Sequence, residues 1–405
     1  MKLKNFQNTA LYIFFFSINF EVWDPLNTGG SFSISKLTGF LYFATLLPQI
    51  EFFLKGKGYL RFLRPLWFFF IYLTLISFLN INSLSSSYFS FSIFQNIILF
   101  VLLINHARKI PGILQKAFFS FALGSFILSV LFSLNIGVTY DLGRIRLFGD
   151  NENEIGLRMS VSLIYLLFLI TKDPFKFRKK KYFLILLLPS MLSLLVATGS
   201  RVAFISFALC FLAGLALIKT RTIHTKILIL VVGIIIGILI MNYVLSSEIL
   251  YQRLVASIKE QDLSDRNIIW QTLIPLINNN VFFGVGLTGY ELYCFKVFGR
   301  IISPHNVIIE VLCYTGIIGL LSYSWLLYKI AQVSWQKYRL NGDLIQLILL
   351  IPVLGMILSG QQLMSKISWV LLAFAISRSI PSIPFPKTKI RIIHKQFVRF
   401  QQDNR

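Results

Sequence analysis

Residues 305–328 read HNVIIEVLCYTGIIGLLSYSWLLY, and Glu310 is the only Asp, Glu, Lys or Arg among these 24 residues. As an α-helix rising about 1.5 Å per residue, such a run crosses the roughly 30 Å hydrocarbon core of a bilayer. Working outward along the chain, stretches of comparable length and character lie at 8–24, 34–54, 62–80, 88–104, 113–137, 155–171, 182–198, 202–218, 227–245, 344–361 and 364–380. Together they predict an all-α polytopic membrane protein with about 12 transmembrane helices. The composition excludes an ordinary soluble domain: 56% of the 405 residues are apolar, 14% are charged, and 40 are Phe. Mean hydropathy is +0.73. A soluble fold of this size needs a far more polar surface.

The net charge of +23 would point to nucleic acid in a soluble protein. Here it reports orientation. With the N-terminus cytoplasmic, most of the 39 Lys and Arg residues fall on the inner side, whereas of 16 acidic residues only Glu51, Asp173, Asp343 and Asp403 do. This is the positive-inside pattern, and it predicts cytoplasmic termini and no nucleic-acid partner. The run Lys176, Arg178, Lys179, Lys180, Lys181 and the basic tail at 381–405 suit anionic membrane lipids. Lys2 and Lys4 precede an apolar run, but no small-residue cleavage site follows, so the N-terminus reads as a first membrane helix. Cys210, Cys294 and Cys313 imply no disulfide framework. Without internal repeats or linkers, residues 1–405 read as a single membrane domain.

Two segments on the outer side exceed a tight connection: 138–154, and a long periplasmic loop at 246–303 between helices 9 and 10. Within the long loop, Ser264 and Asp265 cap a short amphipathic helix on which Ile269, Trp270, Leu273, Ile274, Leu276 and Ile277 share one face, with Arg266 in its middle. Arg266 there faces protein or membrane; stacking on Trp270 or snorkelling explains it as well as ligand binding does. Gly284-Val285-Gly286 reads as a tight turn, not a nucleotide loop. The loop ends in Ser303-Pro304-His305-Asn306, where Ser303 suits the cap and Pro304 the first helical position, placing His305 in the first turn. The positive end of a helix dipole disfavours an imidazolium, and a neutral histidine there serves as general base or hydrogen-bond partner; a surface histidine ending a loop is the plainer alternative.

A second arginine, Arg201, follows Gly199 and Ser200, which supply a turn and a cap. A cation at a helix N-terminus opposes the dipole and calls for an anion, either a ligand or an outer carboxylate. Two arginines converging from different segments would suit a diphosphate. The shorter outer segment, Arg144 to Gly156, offers Arg146 and Asn153, and its carboxylates match no metal-ligand spacing.

Thr198-Gly199-Ser200-Arg201, Asp265-Arg266 with Trp270, Gly284-Val285-Gly286, and His305-Asn306 followed after nine residues by Gly316-Ile317-Ile318-Gly319 resemble the O-antigen ligase and O-antigen polymerase superfamily. The resemblance covers about residues 140–325. It implies a GT-C-like glycosyltransferase of the bacterial inner membrane, working on the periplasmic face without metal or other cofactor. The donor would be an undecaprenyl-diphosphate-linked glycan, and the acceptor lipid A core for a ligase or a second lipid-linked glycan for a polymerase. Arg201 and Arg266 would hold the diphosphate, and His305 would assist the acceptor hydroxyl. Asn306 would orient His305, and Arg146, Asn153 and Trp270 would line the substrate. The family's Asn-Pro-Asn is replaced here by Asn-Glu-Asn-Glu at 151–154. Gly316 and Gly319 would permit close helix packing behind the site. A transporter or lipid flippase is the rival class; spans almost free of interior charge count against it. A metal-dependent transferase using Glu21 and Asp24 is a further rival.

Overall fold

The computed structural model describes residues 2–28, 32–51, 60–79, 83–141, 144–172, 178–217, 266–360 and 363–377, with isolated positions between 224 and 255. The helices described are α1 (Lys2–Ser17), α2 (Ile34–Leu46), α3 (Leu60–Leu79), α4 (Ser83–Lys109), α5 (Ile113–Ser133), α6 (Glu152–Lys172), α7 (Arg178–Ala197) and α8 (Arg201–Leu217). They continue with α9 (Arg266–Asn279), α10 (Gly286–Phe298), α11 (Val307–Asn341), α12 (Leu344–Ile348), α13 (Leu350–Ser359) and α14 (Lys366–Ile376). One antiparallel hairpin, β1 (Val138–Asp141) and β2 (Arg144–Leu147), joins α5 to α6, with Val138 opposite Leu147 and Asp141 opposite Arg144.

Among the described residues four helical stretches are long and apolar enough to cross a membrane: Phe91–Lys109, Ile113–Ser133, Glu152–Thr171 and Val307–Asn341. Five shorter apolar ones accompany them: Arg64–Leu79, Phe183–Ala197, Arg201–Leu217, Leu344–Ser359 and Lys366–Ile376. The polytopic helical membrane protein is therefore present, but several expected spans are shorter than the sequence implied. The stretch at 34–54 leaves the α-helix after Leu46, where Pro48 sits in a 3-10 turn. That at 344–361 divides at Leu349. Apart from isolated positions, the span expected at 227–245 lies outside the described residues, as do loop residues 247–250, 252–254 and 256–265 and the tail at 381–405.

Polar contacts between helices sort their ends into two groups. At one end His106 of α4 meets Tyr42 Oη (3.0 Å) and Asn8 Oδ1 (3.1 Å), and Gln346 donates to the carbonyls of Phe374 (2.6 Å) and Ser377 (3.1 Å). Toward the other end Asn19 donates to the Phe121 carbonyl (2.9 Å), and Ser125 bonds both Asn19 and Ser162 (2.6 Å each). Each such bond contributes about 0.6 kcal/mol in a membrane protein, so interlocked aromatics carry more of the packing. Phe118 lies 4.4 Å from Phe374 and 5.4 Å from Phe15, centroid to centroid, and Phe100 packs edge-on against Trp369. Cys210 reaches the Ile348 carbonyl (3.5 Å), while a Cβ on Gly355 would fall 2.6 Å from Ser206 Oγ and 3.2 Å from Val202 Cγ1. Residue numbers rise on one helix as they fall on the other, so α8 and α13 are antiparallel. Ser359, one turn beyond Gly355, is then level with the start of α8 at Arg201.

The opening stretch 305–328 is not one continuous helix. At Gly316 the backbone turns to φ 58 and ψ −161. The helical bond from Ile317 N–H to the Cys313 carbonyl is replaced by two others: Ile317 N–H donates to Val281 O (2.8 Å), and Val285 N–H donates to Cys313 O (2.8 Å). The segment between α9 and α10 thus threads into the break and satisfies both orphaned groups. Only glycine fits on either side. A Cβ on Gly316 would lie 2.4 Å from the Phe282 carbonyl oxygen, and one on Gly284 would lie 2.5 Å from the Thr315 nitrogen. Close packing at Gly316 was expected from another helix; a loop backbone supplies it.

Candidate active site

The 303–306 segment is held from both sides. From α9, Trp270 Nε1 donates to the Pro304 carbonyl (2.8 Å). From α11, Glu310 Oε1 accepts from Ser303 Oγ (3.0 Å), which itself accepts from His305 N–H (3.1 Å). His305 adopts a left-handed conformation, φ 48, and Asn306 caps α11, its Oδ1 accepting from Ile308 N (2.9 Å) and Ile309 N (3.3 Å). This corrects the sequence reading, in which Ser303 was the cap and His305 lay in the first turn. Ser303 is engaged by Glu310 and the His305 amide, so the next residue able to accept from two helix amides takes the cap. His305 therefore sits just before the helix. A left-handed residue other than glycine costs about 1–3 kcal/mol, which the surrounding hydrogen bonds offset.

Burial first, and the Arg266 guanidinium second, hold the His305 imidazole below the ordinary histidine range, so it is neutral at pH 7. Arg266 opens α9 and donates to Ser359 Oγ at the end of α13. One group thus gathers Arg266, Trp270, His305 and Asn306. Asp265 lies outside the described residues.

A second group forms where the hairpin meets α6 and α8. Asn153 Oδ1 accepts from Ser200 Oγ (2.9 Å) and from Arg144 Nη2 (3.0 Å). Arg144 also donates to the Thr198 carbonyl (3.2 Å) and pairs with Glu152. Gly199 at φ 60 provides the expected turn, and Ser200 Oγ the expected cap, accepting from Ala203 N (3.4 Å). Arg201 follows, half-buried. Arg146 Nε lies 3.6 Å from Glu152 Oε2, with 40% of its side chain exposed. Arg146, Asn153 and Arg201 therefore share one neighbourhood, and α13 links it to the first: Ser359 holds Arg266 and is level with the start of α8.

The sequence reading missed Arg144, Ser359, Glu310 and a buried charge knot. Arg158, inside α6 and with 1% of its side chain exposed, pairs with Asp150 and with Glu21 (3.5 Å), and Lys366 pairs with Glu21 (3.0 Å). Ser365 Oγ donates to Glu154 (3.3 Å). The expectation of spans almost free of interior charge is corrected here. A single charged residue in the run 155–171 was the available signal, since an ionisable residue in a span is placed there for a reason. The same contacts separate the two carboxylates of the metal-dependent alternative: Glu21 is engaged by Arg158 and Lys366, while Asp24 accepts from Thr28 N (2.6 Å) and Thr28 Oγ1 (2.8 Å).

No curated protein matches the chain. The family model for O-antigen ligase matches residues 183–324, a segment that holds Arg201, Arg266, Trp270, His305, Asn306 and the break at Gly316, and leaves out the hairpin and the Arg158 knot. Over this segment the chain is similar to the O-antigen ligase family.

Proposed function

We propose that the protein is a metal-independent glycosyltransferase of the bacterial inner membrane. It crosses the bilayer about 12 times with both termini cytoplasmic, and on the periplasmic face it moves a glycan from undecaprenyl diphosphate to an acceptor sugar. The observation that carries this reading is the neutral, conformationally fixed His305 beside Arg266, within the segment matched by the O-antigen ligase family. In the proposed reaction the acceptor hydroxyl oxygen bonds to the anomeric carbon, and the bond from that carbon to the diphosphate oxygen breaks. The hydroxyl proton passes to the His305 imidazole, and the electron pair leaves with the diphosphate. Arg266 and Arg201 stabilise the charge that develops there, which removes the need for an acid. Asn306, which caps α11, fixes where His305 sits. Arg146 and Asn153 line the approach from the hairpin side.

Lipid A core is the proposed acceptor, which makes the enzyme an O-antigen ligase. Purified protein in lipid, given undecaprenyl-diphosphate glycan with and without lipid A core, tests this by product size. Glycan appearing only on the core supports the ligase. A ladder of longer lipid-linked glycan without core would make it a polymerase. Glycolipid moved between leaflets with no bond exchanged would instead support a flippase.

A further inference from the structure

The helices α9 and α10 form a hairpin: Tyr293 Oη donates to the Thr272 carbonyl (2.9 Å), and the chain reverses at 280–285. The turn does not lie at the outer end of α11. It enters α11 at Gly316, nine residues past Val307 and so roughly 13 Å along the helix. It also lies beside the last two turns of α3, where Tyr72 Oη meets the Phe283 carbonyl (3.5 Å) and Ser77 Oγ accepts from Leu287 N (3.1 Å). At this level α3 still presents exposed apolar side chains, Leu75, Phe78 and Leu79, before the polar residues Asn80 and Asn82 follow. At the tip of the hairpin Phe282 and Phe283 point outward, 66% and 60% exposed, next to exposed Val281.

Much of the backbone of this turn is paired inside the protein. Val281 O accepts from Ile317 N, Val285 N donates to Cys313 O, and Gly284 N donates to Asn280 O (2.9 Å). Two outward phenylalanines bring no gain to an aqueous loop, whereas beside the exposed apolar side chains of α3 they extend a surface suited to acyl chains. At 14 and 13 residues the two helices are too short to span but long enough to enter a leaflet.

We propose that α9 and α10 form a re-entrant hairpin whose tip, Val281-Phe282-Phe283, is embedded in the acyl chains of the adjacent leaflet, so that this part of the 246–303 segment is a membrane element and not an aqueous loop. The inference does not rest on the transfer reaction. Its consequence is that Arg266 and Trp270, at the other end of α9, and the 303–306 segment that Trp270 holds are fixed at a set depth relative to lipid.

The test is nitroxide accessibility at Phe282→Cys and, separately, Phe283→Cys, in nanodiscs of phosphatidylethanolamine and phosphatidylglycerol. Cys210, Cys294 and Cys313 are buried, which directs the label to the new site. The exposed α8 residue in Leu212→Cys gives the lipid reference, and Arg300→Cys the aqueous one. Strong collision with oxygen and weak collision with a nickel chelate, as at position 212, is the expected result. Nickel accessibility like that at position 300 overturns the proposal, and so does low accessibility to both reagents, which would bury the tip in protein. Should both variants fail to fold, wild-type protein in nanodiscs containing a phospholipid with an acyl-chain diazirine decides it. Crosslinks within 280–286 support insertion; crosslinks on α8 with none at the tip overturn it.

Discussion

Arg158 and Arg266 both stand in largely apolar surroundings near the hairpin-bearing end of the bundle, yet their settings differ. Arg158 is sealed from solvent, and Asp150 and Glu21, from two other segments, converge on it. Arg266 is half-buried, bonds the hydroxyl of Ser359, and lies close enough to His305 to add to the effect of burial in lowering its pKa. The first arrangement ties the loop after α1 and the hairpin to α6. The second leaves a guanidinium within reach of a ligand. Accessibility, more than charge or local sequence, separates an arginine that holds the fold from one suited to chemistry.

Replacing Arg158 by Met should break this comparison most sharply. Loss of one partner leaves buried carboxylates uncompensated, at about 3–5 kcal/mol, and the protein should lose its folded form in denaturant titration. The double change Arg158→Met with Asp150→Asn should recover part of that stability. Arg266→Ala and Arg201→Ala should do the reverse: transfer falls by a factor on the order of 10²–10³, the loss of a donor to developing charge, while the melting temperature in detergent stays near wild type. Full transfer in either variant would remove the diphosphate assignment.

The pH response of His305 refines the contrast further. Because its pKa is depressed in the folded protein, the unfolded chain takes up the proton first as pH falls through the ordinary histidine range near 6.5. Stability associated with His305 is therefore present above that range and declines below it. An NMR titration of ring-labelled histidine should place His305 below the ordinary value in wild type and shift it upward in Arg266→Gln, which removes the second of its two causes. No shift would show that burial alone acts. The smallest effect belongs to Trp270→Phe, which keeps the ring packing but loses the bond to the Pro304 carbonyl. A loss of about 1 kcal/mol, equal to a few-fold in transfer rate, is expected if this bond holds the His305 segment in place.

The pattern at 303–306 shows why the site was legible only in part. The residue types were readable: a proline and a polar pair ahead of an apolar run announce a helix start. Which residue caps it was not, because Ser303 is claimed by Glu310, which lies seven residues further along the chain and is held in place by the packing of α11. Arg201 was readable with its turn and cap because Gly199, Ser200 and Ala203 are local. Asn153 was readable as a candidate, but its partner Arg144 was not, since the hairpin register that presents Arg144 to α6 and α8 is set by pairing between strands. Arg158 did not stand out within its apolar span, because its two carboxylates arrive from separate segments.

By itself the sequence determined the class of the molecule, because long apolar runs have no soluble solution. It also determined the family motifs and the residue types of the site. Tertiary structure alone decided that the helix begun at Val307 breaks at Gly316 to receive Val281–Val285, that Ser359 holds Arg266 level with Arg201, and that Arg158 is locked by Asp150 and Glu21. The physical reason is the same in each case. Hydropathy is a property of each residue and its neighbours in the chain, whereas the orphaned amide at Ile317, the Arg266 guanidinium and the Arg158 charge are satisfied by groups between about 8 and 137 residues away, whose positions only packing can fix.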